Sequence, residues 1–227
     1  QLQLAHNGNF GCTSVLEINL GKENGGMVAN LFHQDPVTHK LLLQDVGKLD
    51  TDGNGRFSFL KGGNYVMIFT DKVLLENEIE SILVTPVNKV LYVGGTAGKT
   101  TTQSIQLPEV VQKAVNEKLS TMKVTYRSAN KKIASVSNNG RITGKGIGTT
   151  VIKTEVTIDG ITKTYNTTIK VAKPYIKFTK TTSSLKLGEA FTFTVQCYGY
   201  DPSDVVFTTA KRSKVVIGKR SGKAVGK

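Results

Sequence analysis

The chain has 227 residues, 23 Gly, no Trp and a formal net charge of +13 at pH 7, a length that predicts more than one domain because about 100–150 residues is the commonest domain size. No apolar run reaches the roughly 20 residues that a membrane-spanning helix needs, which predicts no membrane insertion. Two Cys, Cys12 and Cys197, lie in different predicted domains, so we expect reduced core thiols and no disulfide framework.

The first block, residues 1–84, alternates apolar and polar residues over short stretches. Such alternation is typical of half-buried strands. A turn is predicted at residues 35–39, where Pro36 fixes the backbone angle. We interpret this block as a small β-sandwich or β-roll without an assigned activity. Its predicted strands lie at residues 15–20, 27–32, 40–44, 56–60 and 64–69.

Two turns of the first block contain potential metal ligands. Residues 50–55 (DTDGNG) match the first half of a calcium loop, but the twelfth position, which requires Glu, is Lys61. His33 and His39 flank Asp35, yet their spacing matches no zinc site, and histidines in turns are usually solvated. We therefore predict a hairpin turn and solvated histidines, with no metal and no cofactor.

The second block, residues 85–172, opens with a predicted strand at residues 89–93 and a glycine-rich loop at residues 94–100 (GGTAGKT). The loop resembles a phosphate-binding P-loop, but that motif requires Gly at the position of Val93. The segment after the loop is also a poor helix start, so no helix dipole would face a phosphate. The sequence therefore predicts no nucleotide site.

A short amphipathic helix is predicted near residues 108–122. Pro108 suits the first helical position, and Glu109 with Lys113 forms a favourable i, i+4 pair. The apolar positions of this segment share one face, so we expect the helix to cap one end of its own domain. Binding of a partner by this helix is the less favoured interpretation.

One stretch of the sequence occurs twice. Residues 124–145 (VTYRSANKKIASVSNNGRITGK) and 205–227 (VVFTTAKRSKVVIGKRSGKAVGK) share the order aromatic strand, polar turn, short apolar strand, glycine turn and final strand. From Lys132 to Lys145 the second copy lies 82 positions downstream without a gap. A repeat of this length predicts tandem β-sandwich domains of one kind.

Four segments of the second block carry a family resemblance: residues 126–130 (YRSAN), 133–136 (IASV), 139–144 (NGRITG) and 148–152 (GTTVI). They resemble the bacterial Ig-like group 2 domain, and the resemblance extends over residues 84–227. In the second copy Lys211 stands for the Asn of the motif, Val216 for the Ala and Gly218 for the second Val. The resemblance implies a secreted or surface-displayed bacterial protein, in which such domains serve as stalks and adhesive modules.

The third block, residues 173–227, reaches Lys227, which the repeat aligns with Lys145. The second block has two further predicted strands, at residues 149–158 and 162–171, for which the third block has no counterpart. We therefore expect an Ig-like domain truncated before its last two strands, with an open sheet edge and an exposed apolar face. A chain-chain contact, in which a neighbouring chain supplies the strands, is one hypothesis for its completion.

Charge is distributed unevenly along the chain. Residues 1–85 carry 6 basic and 10 acidic side chains, a net charge of −4, whereas residues 86–227 carry 24 and 7, a net charge of +17. Such a basic surface attracts polyanions, and the alternative is a solvated face that keeps sheet edges unpaired. Cell-wall polymer fits better than nucleic acid, which needs aromatic platforms. The candidate polyanion-binding residues are Lys211, Arg212, Lys214, Lys219, Arg220, Lys223 and Lys227.

No catalytic arrangement is predicted, because the sequence has no Gly-x-Ser-x-Gly elbow and neither Cys lies in a nucleophile motif. We predict a non-catalytic structural and adhesive module on a Gram-positive cell surface, an Ig-like stalk that displays or anchors a larger secreted protein. The expected partner is a cell-wall polymer, a host glycan or a surface protein. The alternative is a carbohydrate-binding accessory region of a larger surface enzyme, with Tyr198 and Tyr200 as candidate glycan-stacking residues.

Overall fold

Strands dominate the computed structural model, which describes residues 2–181 and 183–227. The predicted all-β class is confirmed, and the α-helix of these residues, α1 (Glu109–Asn116), lies within the segment predicted to be helical. No helix in the described ranges has the length and apolar character to cross a membrane. Short 3₁₀ turns lie at Lys22–Asn24, Glu78–Ser81 and Pro202–Asp204.

The chain forms two compact units. The N-terminal unit contains the residues up to Val84 together with Ile105–Val124 and Glu155–Thr164. The C-terminal unit contains Thr85–Ser104, Thr125–Thr154 and Tyr165–Lys227. The first block therefore shares a unit with α1, and most of the second block shares a unit with the third.

The first block forms a four-stranded antiparallel sheet from β1 (Leu2–Asn19), β2 (Val28–Gln34), β3 (Leu41–Lys48) and β4 (Asn54–Thr70). The strand order is β1-β4-β2-β3. The sequence predicted two strands where β4 is a single long one. The pairing of β1 with β4 shifts register beside Lys61 and Gly63, so the strand is irregular there but does not end.

Aromatic side chains fill the core of this sheet. Phe57 and Phe59 alternate with polar residues on β4, so both point to the same face, where both are fully buried together with Tyr65. The hydroxyl of Tyr65 donates a hydrogen bond to the Lys61 carbonyl at 2.6 Å, which satisfies its one polar atom. Burying each such side chain stabilises the fold by about 1.5–3 kcal/mol.

Helix α1 packs on the first block. It contacts β3 and the 3₁₀ turn at Glu78–Ser81, and its buried side chains are Val110, Val111 and Ala114. The expectation that the helix would cap its own second-block domain was wrong. The helix packs on β3 because one of its side chains forms an ion pair with a residue of β3 that is 68 positions away in the sequence.

This ion pair is buried and joins Lys113 to Asp45. The Asp45 side chain is 4% exposed, and its Oδ1 accepts hydrogen bonds from the Lys113 Nζ at 2.6 Å and the Val46 backbone N–H at 2.8 Å. Its Oδ2 accepts from the Ser58 backbone N–H at 2.7 Å. A buried carboxylate needs such partners, because desolvation of an unpaired charge is strongly unfavourable. Lys113 therefore fixes α1 to β3.

The second block forms two four-stranded sheets. In chain order its strands are β5 (Leu83–Pro86), β6 (Val90–Tyr92), β7 (Thr100–Gln106), β8 (Met122–Ser128), β9 (Ala134–Val136), β10 (Arg141–Gly144), β11 (Gly148–Ile158) and β12 (Ile161–Ala172). One sheet has the order β5-β7-β10-β9 and the other β6-β12-β11-β8. Buried side chains from both sheets meet in one core: Leu91, Ala134, Ile142, Ile152, Ile169 and Val171.

The third block contains two small antiparallel sheets, built from β13 (Tyr175–Phe178), β14 (Ala190–Thr192), β15 (Val195–Tyr198), β16 (Val215–Ile217) and β17 (Lys223–Gly226). Strand β13 pairs with β15, and β17 lies between β14 and β16. Among the described residues of this block, the buried apolar side chains are Pro174 and Ala224. The third block therefore lacks the two-sheet core of the second.

Candidate interaction surface

The two copies of the repeated stretch form hairpins with matching backbone hydrogen bonds. In the second block the Lys145 N–H donates to the Ile133 carbonyl at 2.8 Å, and in the third block the Lys227 N–H donates to the Lys214 carbonyl at 2.9 Å. Lys145 and Lys227 are 82 positions apart, but Ile133 and Lys214 are 81 apart. One additional residue therefore lies within the second hairpin.

Strand pairing locates this additional residue. Val136 pairs with Ile142 in the β9–β10 hairpin, and Ile217 pairs with Ala224 in the β16–β17 hairpin. Ile217 is thus the counterpart of Val136, and the extra residue falls in the loop between β16 and β17. The alignment without a gap, which matched Gly218 to the second Val of the motif, is one residue out of register before this loop.

The same correction changes the match to the Ala of the motif. Val215, rather than Val216, is the counterpart of Ala134. Burial agrees, because Ala134 is fully buried and Val215 is partly buried, whereas Val216 is 43% exposed. The apolar positions of the third-block hairpin therefore follow the second-block pattern more closely than the sequence alignment indicated.

An aromatic ring fills the space beside the turn glycine in each hairpin. A Cβ on Gly140 would lie 2.9 Å from the Tyr126 ring, and a Cβ on Gly222 would lie 3.0 Å from the Phe207 ring. Both glycines have positive φ, +75° and +63°. The aromatic and glycine positions of the repeat are therefore a packing pair.

The seven candidate polyanion-binding residues are all exposed and lie in two groups on the third-block hairpin. One group, the end cluster, lies at the open end of the hairpin, where the Lys227 N–H donates to the Lys214 carbonyl. The other group, the loop cluster, lies at the loop between the strands, about 10 Å away because each strand residue spans about 3.3 Å. Among the described residues, none of the seven side chains forms an ion pair with a carboxylate. The end cluster is Lys211, Arg212, Lys214 and Lys227, and the loop cluster is Lys219, Arg220 and Lys223.

Arg220 differs from the other six residues because its guanidinium is already bonded. It donates to the backbone carbonyls of Ser203 and Val205. These bonds tie the β16–β17 loop to the 3₁₀ turn at Pro202–Asp204 and to the residue that follows it. The end cluster therefore presents the more available positive charge.

The candidate glycan-stacking residues lie at the junction of the second and third blocks. Tyr198 stacks on Tyr175 of the paired strand, with ring centroids 4.5 Å apart and an angle of 11° between planes, and its hydroxyl hydrogen-bonds the Gln196 side chain. Tyr200 is half-buried. One face of the Tyr198 ring is thus occupied by Tyr175, which is itself 49% exposed. The glycan-stacking role stays a prediction.

The glycine-rich loop that resembled a P-loop contacts the turn after Tyr198. The Ala97 N–H donates to the Gly199 carbonyl at 3.1 Å, and the Asp201 N–H donates to the Thr96 hydroxyl at 2.7 Å. The loop is followed by strand β7 and not by a helix. Its hydrogen bonds join the second block to the third within the C-terminal unit.

This joint is closely packed around two glycines. A Cβ on Gly95 would overlap the Gly199 carbonyl, and a Cβ on Gly199 would overlap the Tyr92 side chain. Burial raises the pKa of Tyr92, and the neighbouring Tyr175 and Tyr198 raise it further. Three tyrosines and two glycines therefore form a compact contact that sequence reasoning missed.

The calcium-like turn of the first block is held by its own hydrogen bonds. The Asp50 Oδ1 accepts from the Asp52 and Asn54 backbone N–H groups, and its Oδ2 accepts from the Asn54 side-chain amide. These bonds, the Asn54 amide first, lower the pKa of Asp50. Asp35 is similarly engaged with the Val37 and Thr38 N–H groups. In the described ranges no cluster of His, Cys, Asp or Glu is suited to a metal ion.

His33 is buried, contrary to the prediction that it is solvated. Its ring meets Tyr65 edge-on at a centroid distance of 5.1 Å, and its Nδ1 has no hydrogen-bond partner among the described residues. Burial lowers the pKa of His33, and the charge of Lys61 lowers it further, while Gly62 and Asp35 act in the opposite direction. Proton binding therefore opposes the folded state.

We expect the first block to lose stability as pH falls below about 6.5, the ordinary pKa of an unfolded histidine. A lowered pKa in the folded state means that the unfolded chain binds the proton more readily, so His33 destabilises the fold progressively as pH decreases. Thermal unfolding of the intact chain between pH 8 and 5 measures this effect. His33→Gln should reduce the loss of thermal stability between pH 8 and 5. The control His39→Asn, at an exposed histidine, should leave that loss unchanged. Equal loss of stability in the two variants would contradict the assignment to His33.

Comparison with known proteins finds a match within the second block. Residues 122–158 match the family model of the intimin immunoglobulin-like domain. This segment runs from β8 to β11 and includes the hairpin of the first repeat copy. The second block is therefore similar, in this segment, to a bacterial Ig-like domain.

Two solved structures show similarity at low sequence identity. The crystal structure of an EHEC O157:H7 intimin mutant is 18% identical, with a TM-score of 0.28, and the match covers 44% of this chain and 50% of that chain. Extracellular domains 3–5 of Drosophila OTK are 13% identical, with a TM-score of 0.31, over 98% of this chain and 86% of that one. The chain thus matches half the length of the intimin chain. No curated protein sequence matches.

Proposed function

We propose that this chain is a non-catalytic structural and adhesive module of an extracellular bacterial surface protein, and that its second and third blocks are tandem Ig-like domains of the group 2 type. The match of residues 122–158 to the intimin Ig-like domain carries this proposal. The matching hydrogen bonds of the two hairpins support the tandem arrangement. In this role the blocks hold a distal partner away from the cell.

The joint between the second and third blocks supports a spacer role. A spacer transmits position only when consecutive domains do not move freely, and small interfaces between domains usually permit motion. Here the loop at residues 94–98 bonds to Gly199 and Asp201, with no space for an added side chain at the contact. Such a contact restricts the angle between the two blocks.

The end cluster supports contact with an anionic wall polymer. Backbone hydrogen bonds bring the residues of the end cluster together, their four basic side chains are exposed, and no carboxylate among the described residues forms an ion pair with them. Polyanion binding by such a cluster is electrostatic and weakens as salt displaces the polymer. The proposed contact therefore has a measurable salt dependence.

We expect the intact chain to bind purified Gram-positive cell wall at low salt and to lose binding as salt rises. Changing the four end-cluster residues to Gln should reduce the slope of log affinity against log salt by about 1 for each basic side chain that no longer meets an anionic group of the polymer. The matched control removes four exposed basic residues from the second-block hairpin, at Lys131, Lys132, Arg141 and Lys145. Co-sedimentation over a salt series measures both.

Two results would contradict the electrostatic contact. Equal losses in the end-cluster and control variants would show that total charge, rather than this cluster, determines binding. Binding that ignores salt and falls with Tyr198→Ala would favour the carbohydrate-binding alternative, for which the exposed Tyr175–Tyr198 stack is the supporting observation.

A further inference from the structure

A groove runs along the face of the first-block sheet on which α1 packs. On β4, Ser58 and Leu60 alternate with the buried Phe59, so they lie on the face opposite the aromatic core. Helix α1 covers part of this face and leaves two adjoining depressions, of about 340 Å³ and about 400 Å³. Each has the size of a small-molecule pocket. The residues that border both depressions are Ser58, Lys113 and Glu117.

The larger depression, which we name the basic depression, is bordered by Lys48 and Arg56 as well as by Lys113. Lys48 and Arg56 are exposed, and neither forms an ion pair among the described residues, although Glu17 is the cross-strand neighbour of Arg56. Val15, which is 43% exposed, adds an aliphatic surface beside them. Two cations without a carboxylate partner favour an anionic group on the ligand.

The smaller depression, which we name the polar depression, is bordered by amide and carboxylate groups of α1. The Gln112 Nε2 donates to the Asn116 Oδ1 at 3.1 Å, which leaves the other amide atom of each side chain without a partner in the described part of the chain. The carboxylates of Glu109 and Glu117 are exposed and can only accept hydrogen bonds. Leu60, 42% exposed, provides an aliphatic contact. This depression therefore favours a neutral ligand with several hydroxyl donors.

We propose that the groove binds a disaccharide unit of an acidic polysaccharide, with the acidic sugar in the basic depression and a neutral sugar in the polar depression. The carboxylate of the acidic sugar accepts from Lys48 and Arg56, and hydroxyls of the neutral sugar donate to Glu109 and Gln112. The exposed aliphatic side chains pack against the C–H faces of the two rings. This site gives the first block a binding function and is independent of the proposed wall contact of the third block.

The charges around the groove argue against a denser polyanion or an acidic peptide as the occupant. Residues 1–85 carry a net charge of −4, and Glu17, Glu109 and Glu117 lie beside or along the groove. A polymer with an anion on every unit would place negative charges next to these carboxylates. A polysaccharide in which acidic and neutral sugars alternate avoids that repulsion. It also supplies the hydroxyl donors that a peptide of acidic residues lacks.

The test titrates the intact chain with a hyaluronan hexasaccharide, in which glucuronate alternates with the neutral N-acetylglucosamine. We expect saturable binding, measured by calorimetry. Changing Lys48 and Arg56 together to Gln should weaken it by roughly 10-fold or more, because two charge-assisted hydrogen bonds are lost. The matched control changes Lys40 and Lys72 to Gln; both are exposed basic residues of the same block that border neither depression, so binding should be unchanged.

Two further measurements test the polar depression and separate this site from the third block. Gln112→Ala combined with Asn116→Ala, at exposed helix positions where Ala is well tolerated, should weaken binding by about 10-fold and leave thermal unfolding unchanged. Chitohexaose, a neutral sugar chain of the same length, should bind roughly 10-fold or more weakly than the hyaluronan hexasaccharide. The variant with the four end-cluster residues changed to Gln should keep its affinity for the hexasaccharide.

Several results would overturn the proposal. These are no binding of the hexasaccharide by the intact chain, equal binding of chitohexaose or of a glutamate peptide, equal losses in the Lys48 and Arg56 variant and its control, or loss of binding in the end-cluster variant. Competition with purified Gram-positive wall polysaccharide then assigns the source of the ligand. Displacement of the hexasaccharide points to the bacterial wall, and its retention points to an external glycan; both results support the site.

Discussion

Replacing Lys113 by Met should destabilise the N-terminal unit by about 3 kcal/mol, because it leaves the Asp45 carboxylate buried without its cation. Removing one partner of a buried ion pair typically costs about 3–5 kcal/mol. We expect the lower end of that range, since the Lys113 side chain is 27% exposed and Asp45 keeps its two backbone donors. Helix α1 should separate from β3 first, because this pair is its polar anchor.

Hydrogen exchange of the intact chain measures this loss locally. Amide hydrogens of α1 should exchange about 100-fold faster in the variant, the equivalent of about 3 kcal/mol. The matched control is Lys163→Met, which breaks an exposed ion pair with Glu80 in the same unit. Pairs of that kind contribute about 0–1 kcal/mol. Equal effects of the two substitutions would show that burial of Asp45 is unimportant.

Replacing Gly199 by Ala should open the joint between the second and third blocks. The new Cβ would overlap Tyr92, and Gly199 has a φ of +80°, where a side chain is strained. Backbone strain contributes about 1–2 kcal/mol and overpacking about 1–3 kcal/mol. The amide hydrogens of Ala97 and Asp201, which bond across the joint, should exchange at least 10-fold faster.

Gly188→Ala separates strain from overlap. Gly188 has nearly the same φ, +79°, but an added Cβ would meet nothing within 4 Å. It should therefore show the strain alone, about 1–2 kcal/mol, without faster exchange at Ala97 and Asp201. If both variants open the joint equally, the overlap with Tyr92 is not its cause.

Local patterns predicted the strands of the first block well, because alternation of apolar and polar residues is a property of adjacent positions. Residues 56–60 were predicted as a strand, and they lie within β4, where Phe57 and Phe59 are fully buried. The prediction that β4 is two strands failed at residues 61–64 (KGGN). Gly and Asn favour turns, but here they form an irregular stretch of a paired strand.

The sequence did not predict contacts between residues that are far apart along the chain. The helix was predicted at nearly its observed position, from Pro108 and the apolar spacing, yet its partner depends on an ion pair between Lys113 and Asp45, 68 positions apart. Nothing in the local pattern distinguishes that lysine from an exposed one. Burial of Asp45 arises only when β3 and β4 have assembled.

The glycines of the joint show a different ambiguity. A Gly-Gly pair is equally consistent with a phosphate loop, a flexible turn and a close approach between two segments. At Gly95 the explanation is a close approach between two segments, because a Cβ there would overlap the carbonyl of Gly199. The offset between the two hairpins was ambiguous for a related reason, since an extra residue before β16 and one in the loop give the same total length.

The parallel pairing of β6 with β12 determines how the second block bears load. Val90, Leu91 and Tyr92 pair with Lys170, Val171 and Ala172, so the first and last strands of this block's second sheet are neighbours that run in the same direction. Tension applied to the two ends of the block pulls these strands along their common axis in opposite directions. Their slanted, evenly spaced hydrogen bonds then share the force in shear and do not unzip one at a time. We therefore expect the second block to resist stretching along the axis of these two strands.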